Sequence, residues 1–408
     1  MSSLQKQNRY TFDIFKKDLI AAFSCAAWTF PLVLAFGATS PFGAQAGIIG
    51  GIIACLIGVN GKQKISVPNL AIFLIMLYAA TDIGINAAMI SVLVSGFVML
   101  LISRFNLSRK FLKISPVAVG AVSFAAAIIL CIIEVNFYFG IGVPQGTALF
   151  TLAAYKSFGF HSNWRGVLFG TITLVIMITY PIKFKKFSKK VPEGFAALLI
   201  TVLLNVLLLN PDVTHTYIDE IGELPTYLIP SFDNISFKGL SAESILPILT
   251  YTVAIVSVYV VETLAKERHH KDINNSLLLK GVNSIISPVF GGLPTSSEKK
   301  SCGETKLTNL YSAIIMVAFA FVFHPVLERI PVATLGVIII VLGWKSPSYK
   351  SMKKVFITSK HKFISIVFMF LLIFACAAWN IVYVIDSLAI LTPLYCSIRY
   401  FLKYKRSK

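Results

Sequence analysis

From residue 19 to residue 36 the chain carries no charged side chain, and apolar runs of this kind recur almost to its end. A helix of about 20 such residues spans a hydrocarbon core of about 30 Å, so the chain reads as a polytopic membrane protein rather than a soluble domain. The composition agrees, with 56% hydrophobic against 13% charged residues and a mean hydropathy of +0.78. A net charge of +19 in a soluble chain would suggest nucleic acid. Here the Lys and Arg residues sit in short clusters between apolar runs, which is a topology signal and leaves no nucleic-acid partner.

The polar opening at 1–17, with Lys6, Arg9, Lys16 and Lys17, has no apolar core or cleavage site and reads as a cytoplasmic tail. Spans follow at 18–36 and 43–58, the second rich in Gly and Ala, as close helix packing in lipid requires. Further spans are expected at 85–103, 116–139, 166–182 and 192–209, with a poorly charged segment at 140–165. The linker at 211–243 holds Asp212, Asp219, Glu220, Glu223, Asp233 and Glu243 against the single Lys238, so it is expected outside. After it come spans at 244–265, 308–323, 332–344, 363–379 and 381–402, a short apolar stretch at 276–290, and a basic cytoplasmic tail at 403–408.

Two stretches break this pattern. Ser66-Val67-Pro68-Asn69-Leu70 and Phe290-Gly291-Gly292-Leu293-Pro294-Thr295-Ser296-Ser297 are proline-led, so each predicts extended chain feeding a helix start. The apolar continuation at 69–80 is too short to cross a bilayer and reads as a half-helix. Bare backbone at membrane depth must face protein or a wet cavity, and two helix starts facing each other would offer N–H groups to an anion. With seven elements in each half, 18–210 and 244–402 form opposed repeats, the plan of transporters that bind substrate at the midplane between discontinuous helices. The expected fold is therefore all-α, with about fourteen transmembrane elements in a seven-plus-seven inverted repeat and two half-helices.

Glu262 lies near the end of an otherwise uncharged span, where an acid is costly unless it binds a cation, carries a proton or reaches toward Lys266 or Arg268. Thr295, Ser296 and Ser297 would supply hydroxyls and N–H donors to a small oxyanion, or simply cap a helix. Lys299 and Lys300 add positive charge there or lie at the interface. Glu134 and Asp386 read as solvated acids near the outer ends of their segments. His215, His269 and His270 fall in loops, and the six cysteines are scattered, so no metal-ligand spacing or nucleophile signature points to an enzyme or a cofactor.

Several motifs together resemble the SulP family of anion transporters, which shares the uracil-permease-like fold. Asp18-Leu19-Ile20-Ala21 and 31–37 are similar to its first span, and Gln63–Asn69 to its approach to a third, broken helix. Glu262-Thr263-Leu264 matches the ETL of its eighth helix, and Asp272, Asn274, Leu277, Gly281 and Asn283 resemble its DxNxEL…GQG…N run. Phe290-Gly291-Gly292-Leu293-Pro294 and Ile330-Pro331-Val332-Ala333 match two more of its motifs.

The resemblance implies an elevator-like carrier of bicarbonate or sulfate in a bacterial inner membrane, with both termini cytoplasmic. Its substrate site would carry to Leu32, Asn69, Leu70, Glu262, Thr295 and Ser296, with Glu262 as the cation-coupling acid for Na⁺ or H⁺. Na⁺ as coupling ion and a homodimeric assembly are left open by the residues. A nucleobase permease of the same architecture and a non-transporting anion-binding membrane protein are the alternatives. Against the family pattern the chain is shorter between Glu262 and Asp272 and between Pro294 and Thr305, lacks the Arg-Thr and Asn of the tenth helix, and shows only a basic tail where a STAS domain would follow. Shortening on both sides of one site points to a changed substrate or to lost transport.

Overall fold

A computed structural model describes residues 11–59, 64–67, 69–107, 116–141, 147–158, 162–208, 235–236, 242–266, 270–295, 297–300, 303–327, 329–345, 362–378 and 380–388. The outer parts of the tails, the linker at 211–234 and 237–241, the basic loop at 346–361, Ser296 and the end of the last expected span lie outside the described residues. The chain runs α1 (Phe12–Ala38), α2 (Gly43–Gly58), β1 (Lys64–Val67), α3 (Leu70–Arg104), α4 (Pro116–Phe139), α5 (Ala148–Phe158), α6 (Trp164–Lys183) and α7 (Glu193–Leu208). It continues with α8 (Ala242–Lys266), α9 (His270–Val289), β2 (Ser297–Lys300), α10 (Leu307–Leu327), α11 (Val332–Trp344), α12 (Lys362–Ala378) and a helical stretch at 381–388.

Among the described residues the fold is helical apart from one short ladder. β1 and β2 pair antiparallel, with Lys64 opposite Lys300 and Val67 opposite Ser297, so the two extended breaks satisfy each other's backbone. Each half opens in the same order, two helices and then a strand. An antiparallel pair is related by a two-fold axis, which is the relation an inverted repeat requires.

Burial sorts the spans into inner and outer helices. Of the apolar window in α1, 72% is buried, against 28% in α6. On α6, Leu168, Val175, Ile178 and Ile182 remain exposed, a stripe of large apolar side chains that lipid covers in a multi-pass membrane protein. The interior is built from Phe30, Leu34 and Phe36 of α1, Ile72 to Leu77 of α3, Tyr259 of α8 and Ile338 and Ile339 of α11.

Small residues set the closest approaches. A Cβ on Gly47 would stand 1.8 Å from the Val33 carbonyl oxygen, and one on Gly50 2.1 Å from the Leu293 carbonyl oxygen. The Leu293 N–H also donates to the Ala46 carbonyl at 2.8 Å, so the chain leaving α9 lies directly on the backbone of α2. The Gly/Ala composition of α2 thus serves the contact expected of it.

Gly84, at φ 82° and ψ 161°, divides α3 into a half-helix at 70–83 and a span at 85–104, where the sequence placed the division. The Tyr251 hydroxyl donates to Asp82, and Asn380 Nδ2 donates to both at 3.1 Å, tying the end of the half-helix to α8 and to the start of 381–388.

The second half differs from expectation in three places. No helix starts at Thr295: β2 is followed by a turn at 303–306, and α10 begins at Leu307 as a full span. Only residues 301–306 separate β2 from α10, too few for a half-helix and the return turn after it, at 1.5 Å of rise per residue. Among the described residues there is therefore no second half-helix. Next, the short apolar stretch at 276–290 is part of a complete helix, α9, whose Ser276, Lys280, Asn283, Ser284 and Ser287 are buried. Finally, the segment at 140–165 contains the short helix α5.

Asp18 explains how the shortened junction closes. Fully buried on α1, it accepts from the Glu304 N–H at 2.7 Å, the Thr305 N–H at 3.1 Å, the Thr308 hydroxyl at 3.0 Å and the Thr305 hydroxyl. It caps the approach to α10 from another helix. The neighbouring pair Lys17–Glu304, at 3.2 Å, is exposed and adds little.

Two outcomes follow for the folded protein in detergent. Gly50→Val forces the 293–295 segment off α2 and is expected to lower stability by about 1–3 kcal/mol or more, read as a fall in melting temperature. Asp18→Ala leaves the N–H groups of Glu304 and Thr305 without their acceptor and is expected to cost about 2–3 kcal/mol, with Asp18→Asn costing less. Melting temperatures equal to wild type in these variants would remove the assigned contacts.

Candidate functional site

Between β1 and α3 the backbone stays extended at Asn69, with φ −103° and ψ 130°. The Asn69 Oδ1 accepts from the Ala71 N–H at 2.7 Å and the Ile72 N–H at 3.3 Å, which makes Asn69 the N-cap of the half-helix. The expected helix start is there, yet two of its donors are taken by its own cap. The positive end of the helix dipole, about half an elementary charge, still lies at this point.

The end of the ladder where Val67 meets Ser297 leads into a narrow cleft. Its walls are Val33 and Phe36 from α1, Gly47 from α2, Asn69, Ile72, Phe73 and Met76, and the segment Leu293-Pro294-Thr295. The unfilled space is about 320 Å³ when the open mouth is counted. Between the walls only about one water molecule fits. The rings of Phe36 and Phe73 meet edge to face at 4.3 Å between centroids, closing one wall with apolar surface.

Thr295 reaches the cleft from a set position. It is 2% exposed, and Asn283 Nδ2 donates to its carbonyl oxygen at 2.9 Å and to its hydroxyl oxygen at 3.2 Å. The Ser287 hydroxyl donates to Asn283 Oδ1 at 3.0 Å, so the amide is oriented from the next turn of α9. One turn earlier, Lys280 places its Nζ 3.3 Å from Glu262 Oε2 and 3.0 Å from the Thr263 hydroxyl oxygen, with the Tyr259 ring centroid at 5.8 Å. The side chains of Lys280 and Glu262 are only 4% and 12% exposed. α9 thus carries a polar face, Lys280, Asn283, Ser284 and Ser287, from the cleft toward Glu262.

Of the residues singled out in the sequence, Asn69 and Thr295 meet in the cleft. Leu32 is buried beside the lining residue Val33, and Leu70 is the half-buried first residue of α3, without lining the cleft themselves. Ser297 opens β2, opposite Val67, rather than starting a helix, and Ser296 lies outside the described residues. Lys299 and Lys300 are in β2, opposite Ile65 and Lys64. Glu262 makes its ion pair with Lys280 of the following helix.

Two acids depart from the sequence reading. Glu134 is fully buried, not solvated: its Oε1 accepts from the Thr39 hydroxyl at 3.1 Å, and its Oε2 is enclosed without a hydrogen-bond partner among the described residues. Asp386 sits within the helix at 381–388, with Oδ1 likewise buried and unpartnered among the described residues. Both were judged by distance from the ends of spans, whereas packing against α1 and α11 encloses Glu134.

Sequence reasoning missed Lys280 and Asn283 as members of the site. Their spacing with Ser284 and Ser287, three and four residues apart, is a polar stripe at helical period and could have marked the face. The stripe lowered the hydropathy of the segment, so it was read as a short apolar stretch.

The chain resembles solved membrane domains along most of its length. The transmembrane domain of the cyanobacterial bicarbonate transporter BicA superposes with a TM-score of 0.70 at 20% identity, covering 94% of this chain and 97% of that one. The murine Solute Carrier 26 family member A9 anion transporter, in its inward-facing state, gives 0.69 at 16% identity over 96% of this chain and 70% of that one. Among curated proteins, YvdB of Bacillus subtilis, named for sulfate transport, is 25% identical over 84% of this chain, and the bicarbonate transporter BicA of Picosynechococcus 23% over 83%. This chain spans 66% and 63% of their lengths, less than two thirds of either relative. The Sulfate permease family model matches residues 15–377, and with the two proline-led breaks paired as one ladder at the cleft, the chain belongs to that family.

Proposed function

We propose that this protein is a secondary carrier of a small inorganic anion, bicarbonate or sulfate first, which binds at the cleft between Asn69 and Thr295. The observation that carries the reading is the convergence of the α3 N-terminus with the Leu293-Pro294-Thr295 segment at the end of the ladder. A helix N-terminus favours negative charge. The ladder itself is basic in sequence, with Lys64, Lys299 and Lys300 against Glu298. Membership of the Sulfate permease family and the names of the relatives support the same substrate class.

In this reading the walls part to admit the anion, which is oriented by the helix dipole and the Thr295 hydroxyl, while the Phe36–Phe73 pair excludes bulk solvent. Alternating access is elevator-like: α1 to α3 and α8 to α10 move with the site against the remaining helices. The polar groups on the walls, Asn69 and Thr295, are few for a flat heterocycle with several hydrogen-bonding edges, which favours an inorganic anion over a nucleobase.

One specific observation favours a second reading, binding without turnover. Among the described residues the site has one helix start where the two-break plan calls for two, and Asn69 already holds two N–H donors of that helix. Uptake of labelled sulfate, bicarbonate and uracil into proteoliposomes decides among the three. Anion flux supports the carrier, anion binding without flux under any gradient supports the second reading, and uracil uptake alone rejects both.

Asn69→Asp tests the location of the site. Asp caps a helix about as well as Asn, so the melting temperature is expected to hold, whereas a carboxylate facing the anion should weaken its binding about tenfold or more. Unchanged anion affinity in a normally folded Asn69→Asp protein would place the substrate elsewhere.

A further inference from the structure

An acid near the end of a span was expected to hold a dissociable cation, and the residue that meets it is a lysine. Lys280 Nζ lies 3.3 Å from Glu262 Oε2 and 3.0 Å from Thr263 Oγ1, both oxygens of the kind that ligate Na⁺. The Tyr259 ring, fully buried, stands 5.8 Å from the same ammonium. An ammonium has three hydrogens, and carboxylate, hydroxyl and ring face give it three directions to address. With the Lys280 side chain 4% exposed and that of Glu262 12%, both charges sit where water is scarce and each stabilises the other.

We propose that Lys280 is a tethered counter-cation, which fills by covalent attachment the place an exchangeable coupling ion would take beside Glu262. A charge fixed to α9 cannot dissociate on either side of the membrane, so no Na⁺ gradient can be drawn upon at this position. The consequence for flux rests on the carrier reading above: the anion moves down its own gradient, indifferent to Na⁺. The same helix face holds Asn283, which donates to Thr295, so the ammonium also belongs to the framework that positions the cleft.

The test reads cation binding apart from flux. Wild-type protein in detergent is expected to melt at the same temperature, within about 1 °C, in sodium chloride and in choline chloride. Lys280→Gln removes the ammonium from beside Glu262, and Na⁺ is then expected to raise the melting temperature saturably by roughly 3 °C or more, while choline does not. Glu262→Gln/Lys280→Gln removes both charges and should lose that response.

In proteoliposomes, wild-type anion uptake is expected to agree within about twofold between Na⁺ and choline. Lys280→Gln uptake should fall about tenfold or more in choline and recover in Na⁺. Saturable Na⁺ stabilisation of the wild type, a folded Lys280→Gln protein indifferent to Na⁺, or no folded Lys280→Gln protein in either salt would each overturn the proposal. Recovery of folded Lys280→Gln only in Na⁺ would support it. A wild type with no anion flux at all would end the carrier reading and leave the melting results to judge the tethered cation.

Discussion

Extended backbone inside a membrane has to find partners for its N–H and C=O groups, and in this chain each break is the other's partner. The ladder of Lys64–Val67 with Ser297–Lys300 joins segments more than two hundred residues apart and sets where α3 begins and where the segment after α9 turns. Around it the helices come very close. Gly47 meets the Val33 carbonyl and Gly50 meets Leu293, contacts that a methyl group would block. With that frame in place, Asn69 and Thr295 face one cleft without either helix contributing more than its end.

Among the described residues one helix start, not two, meets that cleft, and this bears on its electrostatics. Two opposed helix starts would contribute about one elementary charge in total, one start about half of that. The chain closes the gap by another route, folding 303–306 onto the buried Asp18 of α1 and starting α10 at once. Those hydrogen bonds hold the junction, but they supply no second helix dipole to the cleft. Nearby, Lys280 of α9 and Glu262 of α8 form an ion pair with little exposure, so the acid of that span meets a cation belonging to the chain itself.

Much of the architecture was legible in the residues. The spans at 43–58, 116–139 and 332–344 have the bounds read from hydropathy, because the signal is local and the lipid-exposed or closely packed surfaces are uniformly apolar. The division of α3 near Gly84 was legible for the same reason. α9 was legible only as a short apolar stretch at 276–290, since its buried polar face, Lys280, Asn283, Ser284 and Ser287, lowers the hydropathy of the helix. Asn69 and Thr295 were found because proline constrains its neighbours locally. Lys280 was missed because its importance lies in a partner on another helix.

What the residues determined alone is whatever depends on solvent and short range: a membrane-spanning helical chain, breaks at Pro68 and Pro294, close packing through the glycines of α2, and a family likeness in the motifs around them. Tertiary structure decided the rest, because pairing across the chain has no local signature. It placed the two breaks in one ladder, gave Asp18 to α10, enclosed Glu134 against Thr39, and set Lys280 beside Glu262. A charge in a low-dielectric interior is defined by what it touches, and only the folded chain brings those groups within 3 to 4 Å.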